Sequence, residues 1–313
     1  MGRMTSRQAA VSRETRCYGT LGLLTVVAAV VGCSGTATPA TNGGAGTVAT
    51  GGAANAGGTA ARLTGGNSGA GGSATGGAST GSASGGGGAT SVGRACTNPV
   101  LILPASPSNP HGGITLDGYY VDTDAWNAAN YQVSETVYIC EFNNWYVVAN
   151  MNNDNGDGAV KTYPNVHKDF NSAPQLSSFS TITSSFAHTA PHVGIYEFAY
   201  DIWLNGVATS TSTEVMIWTD NFNQVPSGSL MDTVTFDAAS YQVYKTGSYI
   251  AFVATTNVTA GTLNLLSFFN YVIGKGWIPA SSTLGAIDYG VELVSTNGSD
   301  ATFAVTDFSV TTT

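Results

Sequence analysis

The sequence predicts an all-β domain over residues 96–313, an antiparallel sandwich or jelly roll with one helix packed against it. Three observations carry that reading. Short runs rich in Val, Ile, Thr, Tyr and Phe recur between clusters of Gly, Asn, Asp and Ser, the alternation of strands and turns that sandwiches show. Inside several runs apolar residues fall at every second position, so one face of each strand is core. A single segment replaces that two-residue period with a helical one.

The strand runs are 136–139, 145–149, 179–186, 195–204, 233–236, 241–244 and 248–255. Between the second and third lies "NDNGDG", 153–158, which begins like a calcium loop with a glycine sixth. Its twelfth position is Pro164, where such a loop needs a bidentate glutamate, so a tight turn is the reading. The helical segment is "TLNLLSFFNYVIGKG", 262–276. It sets Leu265, Leu266, Phe268, Phe269, Val272 and Ile273 on one face, with Thr262 as cap and Gly274 or Gly276 as stop, and is expected on the outside of a sheet.

The N-terminus reads as a processing segment. Arg3, Arg7, Arg13 and Arg16 precede an apolar run over about 21–31, too short for a membrane span, ending in Val30-Val31-Gly32-Cys33. This resembles the lipobox of bacterial lipoproteins. The resemblance implies a signal over 1–32, cleavage before Cys33, lipidation of its sulfur, and a cell-envelope or secreted location with membrane contact only through that lipid. An ordinary secretory signal is the other reading. Residues 33–95 are nearly all Gly, Ala, Ser and Thr and bury too little to offset ordering, so they read as a disordered tether. Such a coil spans on the order of 45 Å.

Charge and cysteine count narrow the function. All six arginines lie in the first 94 residues, and the remaining chain sets four lysines against eighteen Asp and Glu, which excludes nucleic acid as a partner. Cys17 leaves with the signal, Cys33 carries lipid, and Cys96 with Cys140 remains as a default disulfide in an oxidising compartment. Closing that loop contributes about 3–4 kcal/mol in the chain-entropy model. His111, His167, His188 and His192 show no metal-ligand spacing, and neither metal nor organic cofactor is expected.

Glutamate is scarce: Glu135, Glu141, Glu197, Glu214 and Glu292 are all that follow the tether. In "TSTEVMIWTD", Val215 and Ile217 look like the core side, so Glu214 shares the other face with Met216 and Trp218. In "GIYEFAYDIWLNG", Tyr196, Phe198, Tyr200, Ile202 and Leu204 form the core stripe, and Glu197, Asp201 and Trp203 face away from it. A hairpin between these strands would make Asp201 and Glu214 neighbours. "IDYGVELVS" adds Asp288, Gly290 and Glu292 on one face of a third strand. Acids beside indoles suggest a groove that holds sugar, since pyranose faces stack on indoles and glycosidic cleavage needs two carboxyls in different protonation states. The bland reading is a solvated strand face.

"YDIWL" (200–204), "EVMIW" (214–218) and "YGVEL" (289–293), in that order and spacing, resemble the signature strands of glycoside hydrolase family 12; "VKTYPN" (160–165) and "DAWN" (124–127) are similar to stretches of that family too. The resemblance spans essentially all of 96–313. It implies a two-sheet, concanavalin-like jelly roll with a long concave cleft, and endo-acting, retaining hydrolysis of β-1,4-glucans by a monomer. Residue by residue it makes Glu214 the nucleophile, Glu292 the acid/base and Asp201 their hydrogen-bonding companion. Met216 and Trp218 become cleft-floor residues, and Asp124 and Trp126 sugar-binding residues, Trp126 stacking on a glucose ring. It also implies carboxyls about 5–5.5 Å apart and a bell-shaped, acidic pH profile. Asp124 departs from the Asn common in the family, and Leu293 stands where an aromatic residue is unsurprising. Trp145 reads equally as a sugar platform or as core. Two other functions remain open, a non-catalytic carbohydrate-binding surface lipoprotein and a family 11-like xylanase. Whether the glucan is cellulose-like, mixed-linkage or xyloglucan is not legible.

Overall fold

The computed structural model describes residues 95–313; the signal segment, Cys33 and nearly all of the tether lie outside the described residues. Fifteen strands and one α-helix follow in chain order. They are β1 (Leu101–Pro104), β2 (Gly113–Leu116), β3 (Tyr119–Asp122), β4 (Val133–Glu141), β5 (Asn144–Met151), β6 (Asn165–Asp169), β7 (Ile182–Thr189) and β8 (Ile195–Leu204). Then come β9 (Thr213–Phe222), β10 (Ser229–Phe236), β11 (Ala239–Thr246), β12 (Tyr249–Ala254), β13 (Ala260–Asn264), α1 (Leu265–Gly274), β14 (Leu284–Ser295) and β15 (Ala301–Thr312). Two sheets form, a six-stranded one ordered β1-β4-β5-β15-β7-β13 and a nine-stranded one ordered β10-β11-β12-β9-β8-β14-β6-β3-β2. This is the two-sheet jelly roll that the strand pattern predicts.

The alternating core residues do the joining. Tyr196, Phe198, Tyr200 and Ile202 of β8, with Val215 and Ile217 of β9, pack in one cluster with Val137, Ile139, Val147, Phe186 and Phe303 of the smaller sheet. Trp145 is 1 % exposed within that cluster, so it is a core residue. Leu293 is buried there too, which explains an aliphatic residue beside Glu292. The 153–158 stretch is the expected turn, closed by the Gly156 N–H on the Asn153 carbonyl, with Gly156 at a φ of 64°.

Three details differ from expectation. The pairing of β9 with β12 is parallel rather than antiparallel, because β10, β11 and β12 form a meander that returns beside β9 running in its direction. The helix begins at Leu265, and Thr262 lies in β13 instead of capping it; Asn264 occupies the cap position without a side-chain bond. The helix also does not lie outside a sheet. Leu265, Phe268, Phe269 and Val272 enter the common core, and the Phe268 ring meets those of Phe236, Tyr241 and Phe252. Through Phe268 the helix covers part of the β10–β12 end of the nine-stranded sheet.

Cys96 and Cys140 are disulfide-bonded, with Cα atoms 5.6 Å apart, tying the chain ahead of β1 to the end of β4.

Candidate active site

Face parity in β8 is as the sequence predicts, and it has a cost. The strand is buried on both sides, so the acids on its non-core face are largely shielded from water: Glu197 is 0 % and Asp201 7 % exposed. In the β8·β9 hairpin, Asp201 stands opposite Met216 and Trp203 opposite Glu214, which makes Asp201 and Glu214 diagonal neighbours. On the other flank of β8, Asp288 of β14 stands opposite Asp201, and Glu292 opposite Glu197. Glu214, Asp201 and Glu292 thus share one face, turned away from the core.

Close approach of backbone sets part of this register. Gly290, two residues before Glu292, pairs with Asn165 of β6, and a Cβ there would lie 2.1 Å from the Pro164 carbonyl oxygen. Only glycine lets the two strands pack at that distance. Behind them the Tyr163 hydroxyl donates to the Ala199 carbonyl of β8 at 3.0 Å.

The floor beside the acids is apolar. Met216 and Trp218 are 1 % and 2 % exposed and form a second cluster with Ala199, Ala251 and Val253, flanked by Tyr244 and Tyr249. The Trp218 indole N–H points at the Met216 sulfur, 3.4 Å away. Trp126 is different, with 54 % of its surface open, so a sugar ring has a free indole face to stack on.

Such a floor raises the proton affinity of the carboxyls. Burial first, and then Glu292, pushes Glu214 up to about 8. Burial first, and then Glu197, lifts Glu292 well above the ordinary glutamate range. Asp201 is raised well above its usual range by burial, then by Glu214, Asp288 and Glu292. The carboxyls therefore feel one another's charge across β8. Such a coupled pair is the kind of group that can divide the acid and nucleophile roles of a glycosidic cleavage.

Asp124, in the left-handed region at a φ of 31°, has His111 Nδ1 3.0 Å from its Oδ1 and the Asn165 side-chain amide 3.5 Å from its Oδ2. The side chains of Asp122 and then Asp124 hold the His111 imidazole protonated, up to about 10. A cation thus balances the carboxylate that stands in the usual Asn position.

Three features escaped the sequence reading. Glu135 is buried in β4, accepts a hydrogen bond from Thr162 Oγ1, and is pushed up to about 8 by burial. The His111–Asp122–Asp124 group joins three loop or strand-end positions with no spacing signature. Glu197 was placed on the right face by parity, but nothing in one strand shows what stands opposite it.

Comparison with known proteins agrees with this arrangement. The model of glycosyl hydrolase family 12 matches residues 117–313. Endoglucanase S of Pectobacterium parmentieri is 28 % identical over 44 % of this chain and 56 % of its own length. A Phytophthora nicotianae protein named "Inactive glycoside hydrolase XLP1" is 29 % identical over 48 % and 66 %. The chain thus spans less than two thirds of either relative. Among solved structures, the xyloglucanase domain of NopAA from Sinorhizobium fredii, in complex with cellobiose, superposes with a TM-score of 0.59 at 25 % identity, covering 69 % of this chain and all of that one. With a family model matched from β3 to β15, the stretch that carries the acidic face, the chain belongs to glycosyl hydrolase family 12.

Proposed function

We propose that the domain is a retaining endo-β-1,4-glucanase in which Glu214 is the nucleophile and Glu292 the acid/base. The observation that carries this is the pairing of two carboxyls on one strand face, flanking β8, each with its proton affinity raised by burial and by a neighbouring acid. A β-glucan lies along that face with a ring on Trp126. The Glu292 proton passes to the glycosidic oxygen as the C1–O bond breaks, and a Glu214 oxygen bonds to C1 from the opposite side, giving an α-linked ester. The aglycone leaves. Glu292, now a carboxylate, takes a proton from water as that water attacks C1, which releases Glu214 and restores the β-configuration. Asp201, kept neutral by burial and by Glu214, is placed to donate toward the Glu214 carboxylate.

Relatives named as endoglucanases and xyloglucan-specific glucanases support cellulose-like, mixed-linkage or xyloglucan chains as the substrate class. The disulfide and the Cys33 signal pattern support an exported, lipid-anchored protein. A binding-only role gains some weight from the relative named inactive, but here both glutamates are in place.

The test is the anomeric form of the first product, followed by NMR before mutarotation: β-product is expected, and initial α-product overturns the retaining assignment. Glu214→Ala should lose several orders of magnitude in hydrolysis. Glu292→Ala should still react with activated aryl glycosides and, with azide, yield a β-glycosyl azide. Wild-type protein that binds glucan but releases no reducing ends from any polysaccharide would establish the binding-only role.

A further inference from the structure

Glu197 is the most deeply placed acid on the cleft face and the proposed chemistry makes no use of it. It is wholly inaccessible to solvent, and among the described residues no donor other than the neighbouring Glu292 carboxyl is offered to its two oxygens. What it does face is Glu292, its direct partner in the β8·β14 register. A carboxylate sealed from water without a donor costs several kcal/mol, and a second carboxylate set directly beside it adds to that cost. The contact is tenable only with a proton between them, held on one glutamate and donated to the other.

We propose that Glu197 is a positioning residue for the hydrolysis, a buried acceptor that keeps the shared proton on Glu292 and aims the Glu292 side chain across β8. The inference rests on reading Glu292 as the acid/base. The electrostatics run the same way: Glu292 acts on Glu197 as a hydrogen-bond donor, opposing the effect of burial, while Glu197 raises the proton affinity of Glu292 both by charge and as acceptor.

The surrounding elements supply no competing cation. On β8 itself the next acid is Asp201, and on β14 it is Asp288; β9 offers the neutral Asn221 opposite Glu197, and farther along, Glu214. From β12 comes the Tyr249 phenol, which feels Glu292, Glu214, Glu197 and Asp201 together. The segment before β6 contributes Tyr163, bonded to the Ala199 carbonyl, and the loop after β3 contributes Asp124, whose charge reaches Glu292. Lys161 gives its ammonium to the Val294 and Ala159 carbonyls and lies over the Tyr131 ring. Beyond burial, the charges acting on the Glu292 proton are thus those of acids, and Glu197 is its direct register partner.

The experiment is the pH dependence of kcat/KM on a soluble β-glucan for the full-length protein, with Glu197→Gln and Glu197→Asp variants. Glu197→Gln keeps the shape and removes the charge, so the alkaline limb should move down by about one pH unit, a roughly tenfold loss of rate above it. Glu197→Asp, which keeps the charge, should restore the limb toward the wild type. With an activated aryl glycoside, which needs no protonated leaving group, Glu197→Gln should leave the alkaline limb where it was. An alkaline limb unmoved by Glu197→Gln on glucan, while Glu292→Ala is inactive on it, overturns the inference and leaves the mechanism standing. Full glucan activity in Glu292→Ala overturns both. A 13C titration of the wild-type glutamate carboxyls stands independently of whether a variant folds: Glu197 and Glu292 should titrate as a coupled pair, and two independent single-step curves would refute the shared proton.

Discussion

His111 Nδ1 lies 3.0 Å from Asp124 Oδ1, two residues ahead of the exposed indole of Trp126. A protonated imidazole from the segment before β2 is therefore set against the loop after β3 that carries Trp126. Asp124→Asn should keep the loop, because Asn tolerates the left-handed backbone found there. It should lower the His111 value from about 10 without returning it to the ordinary 6.5, since Asp122 is the larger cause of the rise. NMR titration of the imidazole resonances measures this, and an unchanged curve would show that Asp124 does not act on the ring.

Trp126→Ala removes a platform and no core. With 54 % of the residue exposed, the fold should hold, while productive binding of long oligosaccharides weakens by roughly 1–3 kcal/mol, on the scale of aromatic stacking on a base. Steady-state kinetics on a long glucan against a short one separates this from misfolding. Equal kinetics in variant and wild type would make the residue irrelevant to the substrate.

Stability should fall as pH rises, the reverse of ordinary acid denaturation. Glu135 and Glu197 sit at about 8 and 7 in the folded domain against 4.5 as free groups, chiefly through burial. Each binds more protons folded than unfolded, so its contribution declines from about pH 4.5 until the folded value is passed. His111 adds stabilisation that is complete below 6.5 and is lost as pH climbs through about 10. Asp232, held down to about 2 by Lys275, acts in the opposite sense only in strong acid. Tm should therefore drop between pH 5 and 9. Calorimetry across that range checks it, and a flat or rising Tm would mean these acids are charged in the native state.

The disulfide gives a simpler expectation. Replacing both Cys96 and Cys140 by Ser should destabilise the domain by about 2–4 kcal/mol, read from denaturant midpoints. Activity per folded molecule should persist, because neither cysteine lies on a strand of the sheet that carries the acids.

What the sequence showed and what it hid divide along a physical line. Parity within one strand is local, so "GIYEFAYDIWLNG" gave both the full extent of β8 and the correct face for Asp201. Register is not local. Nothing in β8 alone reveals that Glu197 meets Glu292, 95 residues further along the chain, or that Asp288 meets Asp201. The same limit explains β2, β3 and β6, short strands whose identity comes from their neighbours in the sheet. The helix was legible from its apolar stripe, whereas its start was not, since Thr262 is claimed by pairing with Ser185 of β7. Trp145 reads equally as platform or core from its strand alone, and its burial in the assembled sandwich makes it core, whereas Trp126 is left exposed.

The last strand in the chain, β15, stands in the middle of the six-stranded sheet, hydrogen-bonded to β5 on one side and β7 on the other. Until those residues arrive, β5 and β7 each present a bare edge, the surface on which strands of other chains pair. Closure of this sheet is therefore the final long-range event of folding and a slow one, since its contacts join positions more than a hundred residues apart. A chain cut short within β15 would keep the acidic face nearly complete in sequence and still aggregate before it formed.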